Sequence, residues 1–284
     1  MSINIYEMVT DRILQQLENN VVAWKKNWQG GVPVNYITQK PYHGINLLLL
    51  PFGGEWLTFK QAQESGGNVR KGEKSSIIVF YKLLEKDKND DEDSEEKEKI
   101  PFLRYSNVFH ISQCENIPTK IKPVTPDHSI SPINNAENTI QDYIKRSGID
   151  FKNVSGSNRA YYSPSQDMVV MPEIKQFTSS EGYYGTTFHE LAHSTGHKSR
   201  LDRISKDASF GNADYSKEEL VAEISACMIM NFMSIEIPQT FENSIAYIQA
   251  WKKVLKADNK IIISASSQAQ KATNLILNIT NTQD

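Results

Sequence analysis

The chain has 284 residues, enough for two domains of ordinary size, and its 39% hydrophobic and 23% charged content excludes a disordered or fibrous protein. Its net charge is -3 and it carries two cysteines, Cys114 and Cys227, so neither a disulfide framework nor a Cys-based zinc site is encoded. The longest apolar run, 45–52, falls far short of the roughly 20 residues that span a bilayer. The first residues lack the basic-then-apolar pattern of a secretory leader, so a reducing cytoplasm is the expected compartment, with no membrane partner.

Residues 6–19 read as an amphipathic helix with Val9, Ile13, Leu14 and Leu17 on one side. An aromatic and basic stretch, Trp24-Lys25-Lys26-Asn27-Trp28, follows, and Gly30, Gly31 and Pro33 mark a loop after it. Trp56-Leu57-Thr58-Phe59-Lys60-Gln61-Ala62 is expected to start a short helix that Gly66-Gly67 ends. The β-branched and aromatic runs at 76–84 and 102–111 predict two paired strands. Between them, residues 85–99 hold nine Asp/Glu against four Lys, a net of -5, and such a run is expected to form a solvated loop. The sharper alternative for it is an autoinhibitory mimic of nucleic-acid phosphates. With that loop set aside, residues 1–84 carry nine Lys/Arg and six Asp/Glu, a mildly basic balance.

Pro118, Pro123, Pro126 and Pro132 describe an extended linker. These features divide the chain into a first domain over 1–118, a linker over 119–134 and a second domain over 135–284. In the second domain, Asn134 or Asn135 can cap a helix that Gly148 stops. The runs 159–162 and 168–171 flank a turn and predict a β-hairpin. Further helices are expected to open at Ser216 and to cover 241–256 and 261–279.

The most informative motif is His189-Glu190-Leu191-Ala192-His193. Two imidazoles four residues apart share one face of a helix, which lets both coordinate one zinc ion. Glu190 between them is placed as general base for a water that the metal activates. The plain alternative is a surface helix carrying two histidines, but Tyr183, Tyr184, Thr187 and Phe188 upstream make this helix look buried. A third ligand is needed. A histidine ten residues after the first would complete one known pattern, but that position is Ser199. His197 is one turn beyond His193, yet Gly196 is expected to break the helix before it.

A carboxylate from the next helix would complete the other pattern, and Glu219-Leu220-Val221-Ala222-Glu223 supplies two. Both head towards an apolar interior where an unpaired charge would be costly. Glu219 is favoured as the ligand and Glu223 as the partner of a ligand histidine. The competing reading makes Ser216-Lys217-Glu218-Glu219 a capping box and leaves Glu223 as ligand. Peptide hydrolysis is the default reaction of such a set, with Zn2+ the expected ion and Mn2+ the alternative. Tyr161, Tyr162 and Tyr215 are candidates to stabilise the oxyanion.

Taken together, these motifs resemble the ArdC-like antirestriction family. Its carriers in the first half include Tyr42-His43-Gly44-Ile45-Asn46, the stretch from Trp56 to Ala62, and Gly67-Asn68-Val69-Arg70-Lys71-Gly72-Glu73-Lys74. In the second half they include Tyr161-Tyr162-Ser163-Pro164, Met171-Pro172, the zinc motif with its flanks, and the carboxylate helix. The resemblance implies an α+β protein of two domains. The N-terminal α+β domain would carry a small antiparallel sheet and bind single-stranded DNA. The second would be a mainly helical, zincin-like metallopeptidase domain with a short sheet.

The residues are compatible with DNA binding. Arg70, Lys71 and Lys74 around Gly72 could contact phosphates, while Trp24, Trp28, Tyr42 and Trp56 could stack on bases, although each tryptophan taken singly is more often core than platform. Lys25, Lys26, Lys40 and Lys60 could be no more than solvating charges. The expected function is therefore an antirestriction protein of a mobile genetic element with a zinc-dependent peptidase site and a protein substrate. Its rivals are a DNA-binding decoy with a non-proteolytic metal site and a peptidase that cleaves a dedicated repressor.

Overall fold

The computed structural model describes residues 4–19, 21–25, 31–87, 97–121, 132–157, 159–204, 213–237 and 244–280. Outside them lie Lys26 and Trp28, the centre of the acidic segment (88–96), most of the expected linker (122–131) and the opening of the 241–256 helix (241–243).

Helix α1 (Ile5–Glu18) starts where Asn4 Oδ1 accepts the backbone N–H of Tyr6 at 3.1 Å, and it buries the apolar stripe expected for it: Val9, Ile13, Leu14 and Leu17. Strands β1 (Val34–Asn35), β2 (Glu55–Leu57), β4 (Ser76–Asp87) and β5 (Lys97–His110) form one sheet in the order β1-β2-β5-β4. The β1–β2 pairing is parallel, so this sheet is mixed rather than purely antiparallel. Helix α2 (Ile45–Leu49) packs beneath it, where Asn46 Oδ1 accepts from Val79 N at 2.7 Å.

Two expectations in this half are corrected. Trp56 and Leu57 belong to β2, not to a helix, because all three β2 residues are buried in the sheet. Helix α3 (Phe59–Glu64) begins only after Thr58, whose side chain forms a capping box with Gln61. The pair β4–β5 also runs further than expected, out to Asp87 and Lys97. Its last three register pairs are Glu85–Lys99, Lys86–Glu98 and Asp87–Lys97.

After α3, Gly66 turns the chain at φ +84° and Gly67 lies so close to the next segment that a Cβ there would meet Glu115 O at 2.3 Å. That close approach lets β3 (Asn68–Val69) pair with β6 (Cys114–Glu115). The start of the expected linker is fastened to this half. Glu55, fully buried, accepts hydrogen bonds from Thr119 Oγ1 at 2.7 Å and Lys120 N at 3.0 Å.

In the second half, α4 (Pro132–Ser147) starts at a proline, ahead of Asn134 and Asn135, which therefore do not cap it. Proline suits the first helical position, where its missing N–H costs nothing. Gly148 ends the helix at φ +68° as expected. Strands β8 (Tyr161–Ser163) and β9 (Met168–Pro172) form the expected hairpin. A strand that the sequence does not announce, β7 (Asp150–Val154), adds parallel to β9; it is polar and mostly exposed. Helices α5 (Ser180–Thr195), α6 (Ala213–Phe232), α7 (Ser244–Ala257) and α8 (Ile261–Leu277) complete the chain.

Both halves contribute to one buried cluster. On α8, Ala265, Ala269 and Ala272 are buried, and such small side chains let a neighbouring helix approach closely. Gly185 does the same for α5 against α6, because a Cβ there would meet Met230 Sδ at 3.1 Å. Direct bonds also join the halves: Thr10 Oγ1 donates to Asn259 O at 2.7 Å and Gly44 N to Gln270 Oε1 at 3.0 Å. Among the described residues no helix is long and apolar enough to cross a membrane.

Candidate metal centre

Helix α5 begins at Ser179, whose Oγ accepts Gly182 N at 3.0 Å, and ends at Gly196. Its buried face includes Tyr183, Tyr184, Thr187, Phe188 and Leu191, which seat it in the core. That burial holds His189 and His193 against α6, one turn apart, with Nε2 atoms 3.1 Å from each other. Glu219 comes from α6 and lies across both rings. Its Oε2 is 3.5 Å from His189 Nε2 and its Oε1 is 3.5 Å from His193 Nε2.

His189, His193 and Glu219 each offer one donor atom, and these atoms lie within 4.8 Å of one another. Two nitrogens on one tetrahedral zinc, each about 2.0–2.1 Å from it, would be about 3.3 Å apart. The observed nitrogen separation and the N2O donor set therefore fit a divalent transition-metal ion.

The other side of each imidazole is also engaged. Glu218 Oε1 lies 3.1 Å from His193 Nδ1. Arg203 then holds that carboxylate, with Nε donating to Oε2 and Nη2 to Oε1, both at 2.8 Å. Arg203 is itself fixed by Thr195 Oγ1 at 2.7 Å and Ala192 O at 2.6 Å. On the other ring, Glu223 Oε2 lies 3.5 Å from His189 Nδ1, and Lys25 Nζ is 2.8 Å from Glu223 Oε1. Carboxylates on both Nδ1 atoms favour the tautomer that leaves Nε2 free as a donor atom.

The ionisation of these groups follows from that arrangement. Burial pulls the His189 and His193 pKa values down, but the carboxylates more than offset it; both are raised, His189 well above its usual range. Burial pushes Glu223 up, yet His189 and Lys25 bring it down to about 2. Glu219 is held far below the usual carboxylate range by the two histidines, against the same burial effect. The carboxylates thus stay ionised in a largely enclosed place, where unpaired charge would be expensive.

Glu190 is 8% exposed. It directly follows His189, and no hydrogen bond to its carboxylate is found among the described residues. Its charge is close enough to raise the His189 pKa.

The capping-box alternative for Glu219 does not survive, because α6 starts at Ala213 and places Ser216 inside the helix. His197 lies past the end of α5, its Nδ1 2.7 Å from Ser199 Oγ and 3.7 Å from Asp167 Oδ2; it is not in the donor group. Of the three tyrosines, Tyr162 donates its hydroxyl to Asp167 Oδ1 at 2.8 Å, in a cluster closed by Arg200. Tyr161 is exposed on β8. Tyr215 lies one helical turn before Glu219, on the same face of α6.

The expected DNA-contacting residues divide. Trp24, Tyr42 and Trp56 are 4%, 7% and 1% exposed; they are core, which for each tryptophan is the plainer of its two readings, and the stacking role expected of all three fails because they present no face to a base. Trp24 packs edge-on against Trp251, with ring centroids 4.9 Å apart, and Trp56 Nε1 donates to Phe52 O at 3.2 Å. Arg70, Lys71 and Lys74 lie on an exposed turn, which Gly72 permits at φ +91°; Arg70 pairs with Glu73 at 2.8 Å. Sequence reasoning missed the roles of Glu218, Arg203 and Lys25. No local spacing rule links residues 15, 25 or nearly 200 positions apart.

Two family models match the chain. One, the N-terminal domain of the anti-restriction factor ArdC, matches residues 3–109. The other, a zincin-like metallopeptidase, matches residues 138–268. The DNA primase TraC of Escherichia coli is 33% identical over 294 aligned residues, which cover 96% of this chain but 20% of TraC; the chain therefore spans about a fifth of that relative. Protein y4eC of Sinorhizobium fredii is 32% identical, with 94% of this chain and 90% of that protein covered. The Mn(II)-bound crystal structure of the antirestriction protein ArdC from plasmid R388 superposes with a TM-score of 0.77 at 35% identity, covering 99% of this chain and all of that one. Its metal-free form gives a TM-score of 0.73 at 36% identity, covering 96% of this chain and 97% of that one.

Proposed function

The chain belongs to the ArdC antirestriction family, and from that membership we propose that it binds single-stranded DNA through its N-terminal half and holds a divalent cation in a peptidase-type site on α5 and α6. The observation that carries the second part is the convergence of His189, His193 and Glu219 donor atoms within 4.8 Å of one another, beside a carboxylate, Glu190, that accepts no hydrogen bond from the described residues. Zinc or manganese suits the two imidazoles and one carboxylate; the ArdC relative has been solved with Mn(II).

When bound, the cation supplies Lewis-acid activation of water and of a substrate carbonyl. Glu190 receives the proton of the attacking water and delivers it to the leaving amine, the role of a general base turned acid. Glu218 and Glu223 hold the two imidazoles with their Nε2 atoms facing each other, and Arg203 and Lys25 balance those two carboxylates. Tyr215, on the Glu219 face of α6, is the tyrosine best placed along the helix to steady an oxyanion.

The DNA-binding part rests on family membership and on the exposed cations of residues 70–74. Sequence-tolerant binding would come from these phosphate contacts, with stacking supplied by aromatics other than Trp24, Tyr42 and Trp56. Together the two activities describe protection of incoming element DNA, with or without cleavage of a protein in the recipient cell.

The test has two arms. Titration of Mn(II) into the protein should saturate at one ion, and His189→Ala should abolish it; saturation retained in that variant would sink the metal reading. Fluorescence anisotropy with single-stranded oligonucleotides should show saturable, salt-dependent binding, and its absence would leave the N-terminal half as a protein-binding module instead.

A further inference from the structure

The proposed cation site includes more acidic groups than it needs. Glu219 and Glu223 are one turn apart on α6 and both lie against His189, but on opposite ring nitrogens: Glu219 Oε2 is 3.5 Å from Nε2 and Glu223 Oε2 is 3.5 Å from Nδ1. What distinguishes them is Lys25. Its Nζ is 2.8 Å from Glu223 Oε1, and the side chains of the pair are only 22% and 21% exposed. Among the described residues Lys25 is the one Lys or Arg paired with Glu223, since Arg203 is committed to Glu218.

Lys25 does not reach Glu223 by chance. The preceding residue, Trp24, is buried and packs edge-on against Trp251 of α7 at 4.9 Å. Lys25 N also donates to Val22 O at 3.1 Å. The segment that follows α1 is thus docked on the second half of the chain, and it delivers one cation to the outer side of His189.

The geometry points to Lys25 as the positioning residue that keeps Glu223 off the bound cation and so makes Glu219 the third ligand. With Lys25 present, Glu223 has one oxygen on an ammonium and the other on the far nitrogen of His189. Without Lys25, Glu223 is a largely buried carboxylate, one turn from Glu219, that no Lys or Arg among the described residues pairs with. A cation held by His189, the ring that Glu223 already touches, then offers it a compensating charge. A fourth protein ligand would fill the position that a working peptidase leaves for water. The N-terminal half therefore sets the coordination of a site whose ligands all come from the C-terminal half. This inference rests on the cation site proposed above.

The test uses the full-length protein with Mn(II) alone. Calorimetry reads affinity, and water-proton relaxation reads how many water molecules remain on the ion. Lys25→Met should raise Mn(II) affinity, on the order of tenfold from the added charge and ligand, and should remove one bound water. Lys25→Arg should keep the wild-type values. Lys25→Met combined with Glu223→Gln should restore the water, which a merely structural role for Lys25 would not produce.

Wild-type hydration in Lys25→Met overturns the inference, whether its affinity is unchanged or reduced. Should Lys25→Met fail to fold by thermal melting, Lys25→Gln carries the same expectation and the same refutation. A wild-type protein that takes up no Mn(II) overturns the site itself, and the inference with it.

Discussion

Glu218 Oε1 lies 3.1 Å from His193 Nδ1, in a contact that joins α6 to α5 across the outer side of a proposed ligand. The carboxylate is shared with Arg203, whose side chain is 9% exposed. A histidine supported in this way keeps its ring orientation and its basicity when it binds a metal. Glu218→Gln is therefore expected to weaken Mn(II) binding by about 10- to 100-fold, as read by calorimetry. An unchanged affinity would mean that the carboxylate serves only to neutralise Arg203.

Glu190→Gln should separate holding the ion from using it. The side chain is outside the donor group, so one equivalent of Mn(II) should still bind. Hydrolysis of a peptide substrate should fall by about 100-fold or more, the usual worth of a general base. Antirestriction measured with the same variant then decides between protease and decoy. Protection that survives the substitution removes proteolysis from the mechanism.

The Asp167 carboxyl is held below its usual pKa: burial pushes it up, but hydrogen bonds from Arg200 and Tyr162 outweigh that. A carboxylate with a depressed folded-state pKa adds stability that is present above its unfolded value, about 3.9. That stability is lost as pH falls through the lower, folded value. Asp167→Asn should accordingly flatten the acid limb of a urea-midpoint profile below about pH 4. At neutral pH it should cost about 3 kcal/mol, because Arg200, only 6% exposed, is left without its partner. A variant with wild-type acid sensitivity would place the titrating group elsewhere.

Neutralising the exposed turn should weaken DNA binding through its electrostatics. Lys71→Gln with Lys74→Gln should lower affinity for single-stranded oligonucleotides of any sequence. The slope of log K against log salt should become shallower by about 0.7 for each phosphate that the protein no longer neutralises. Trp56→Ala, by contrast, should lower the melting temperature, since that ring is 1% exposed. An unaltered salt slope in the lysine double variant would move the DNA path away from this turn.

The elements that were legible in the sequence are those whose causes are local. The apolar stripe of α1, the hairpin of β8 and β9, and the stop at Gly148 each follow from a few neighbouring residues. Expectation failed where a local signal competed with packing. Trp56-Leu57 carries nothing that opposes a helix, yet pairing with β1 and β5 makes it a strand. Asn134 and Asn135 are good caps that α4 passes over, because a proline upstream already suits its first turn.

The same division runs through the proposed site. His189, Glu190 and His193 are set by the period of one helix, so sequence alone determined that two imidazoles and a carboxylate would meet there. Glu219 and Glu223 were visible as a pair, with Glu219 favoured as ligand and Glu223 as partner of a histidine, but the capping-box reading of Ser216 to Glu219 stood beside that one. The tertiary structure decided between the two readings and added a residue that neither held: Glu219 spans both Nε2 atoms while Glu223 and Glu218 take the outer nitrogens, which depends on how α6 crosses α5. It also decided that Lys25 is part of the site and that Trp24, Tyr42 and Trp56 are core. An aromatic ring suits a core and a stacking surface equally well, and an ammonium suits solvent and a buried carboxylate. Which one each meets is settled by burial among residues far away in the chain, and local sequence does not carry that information.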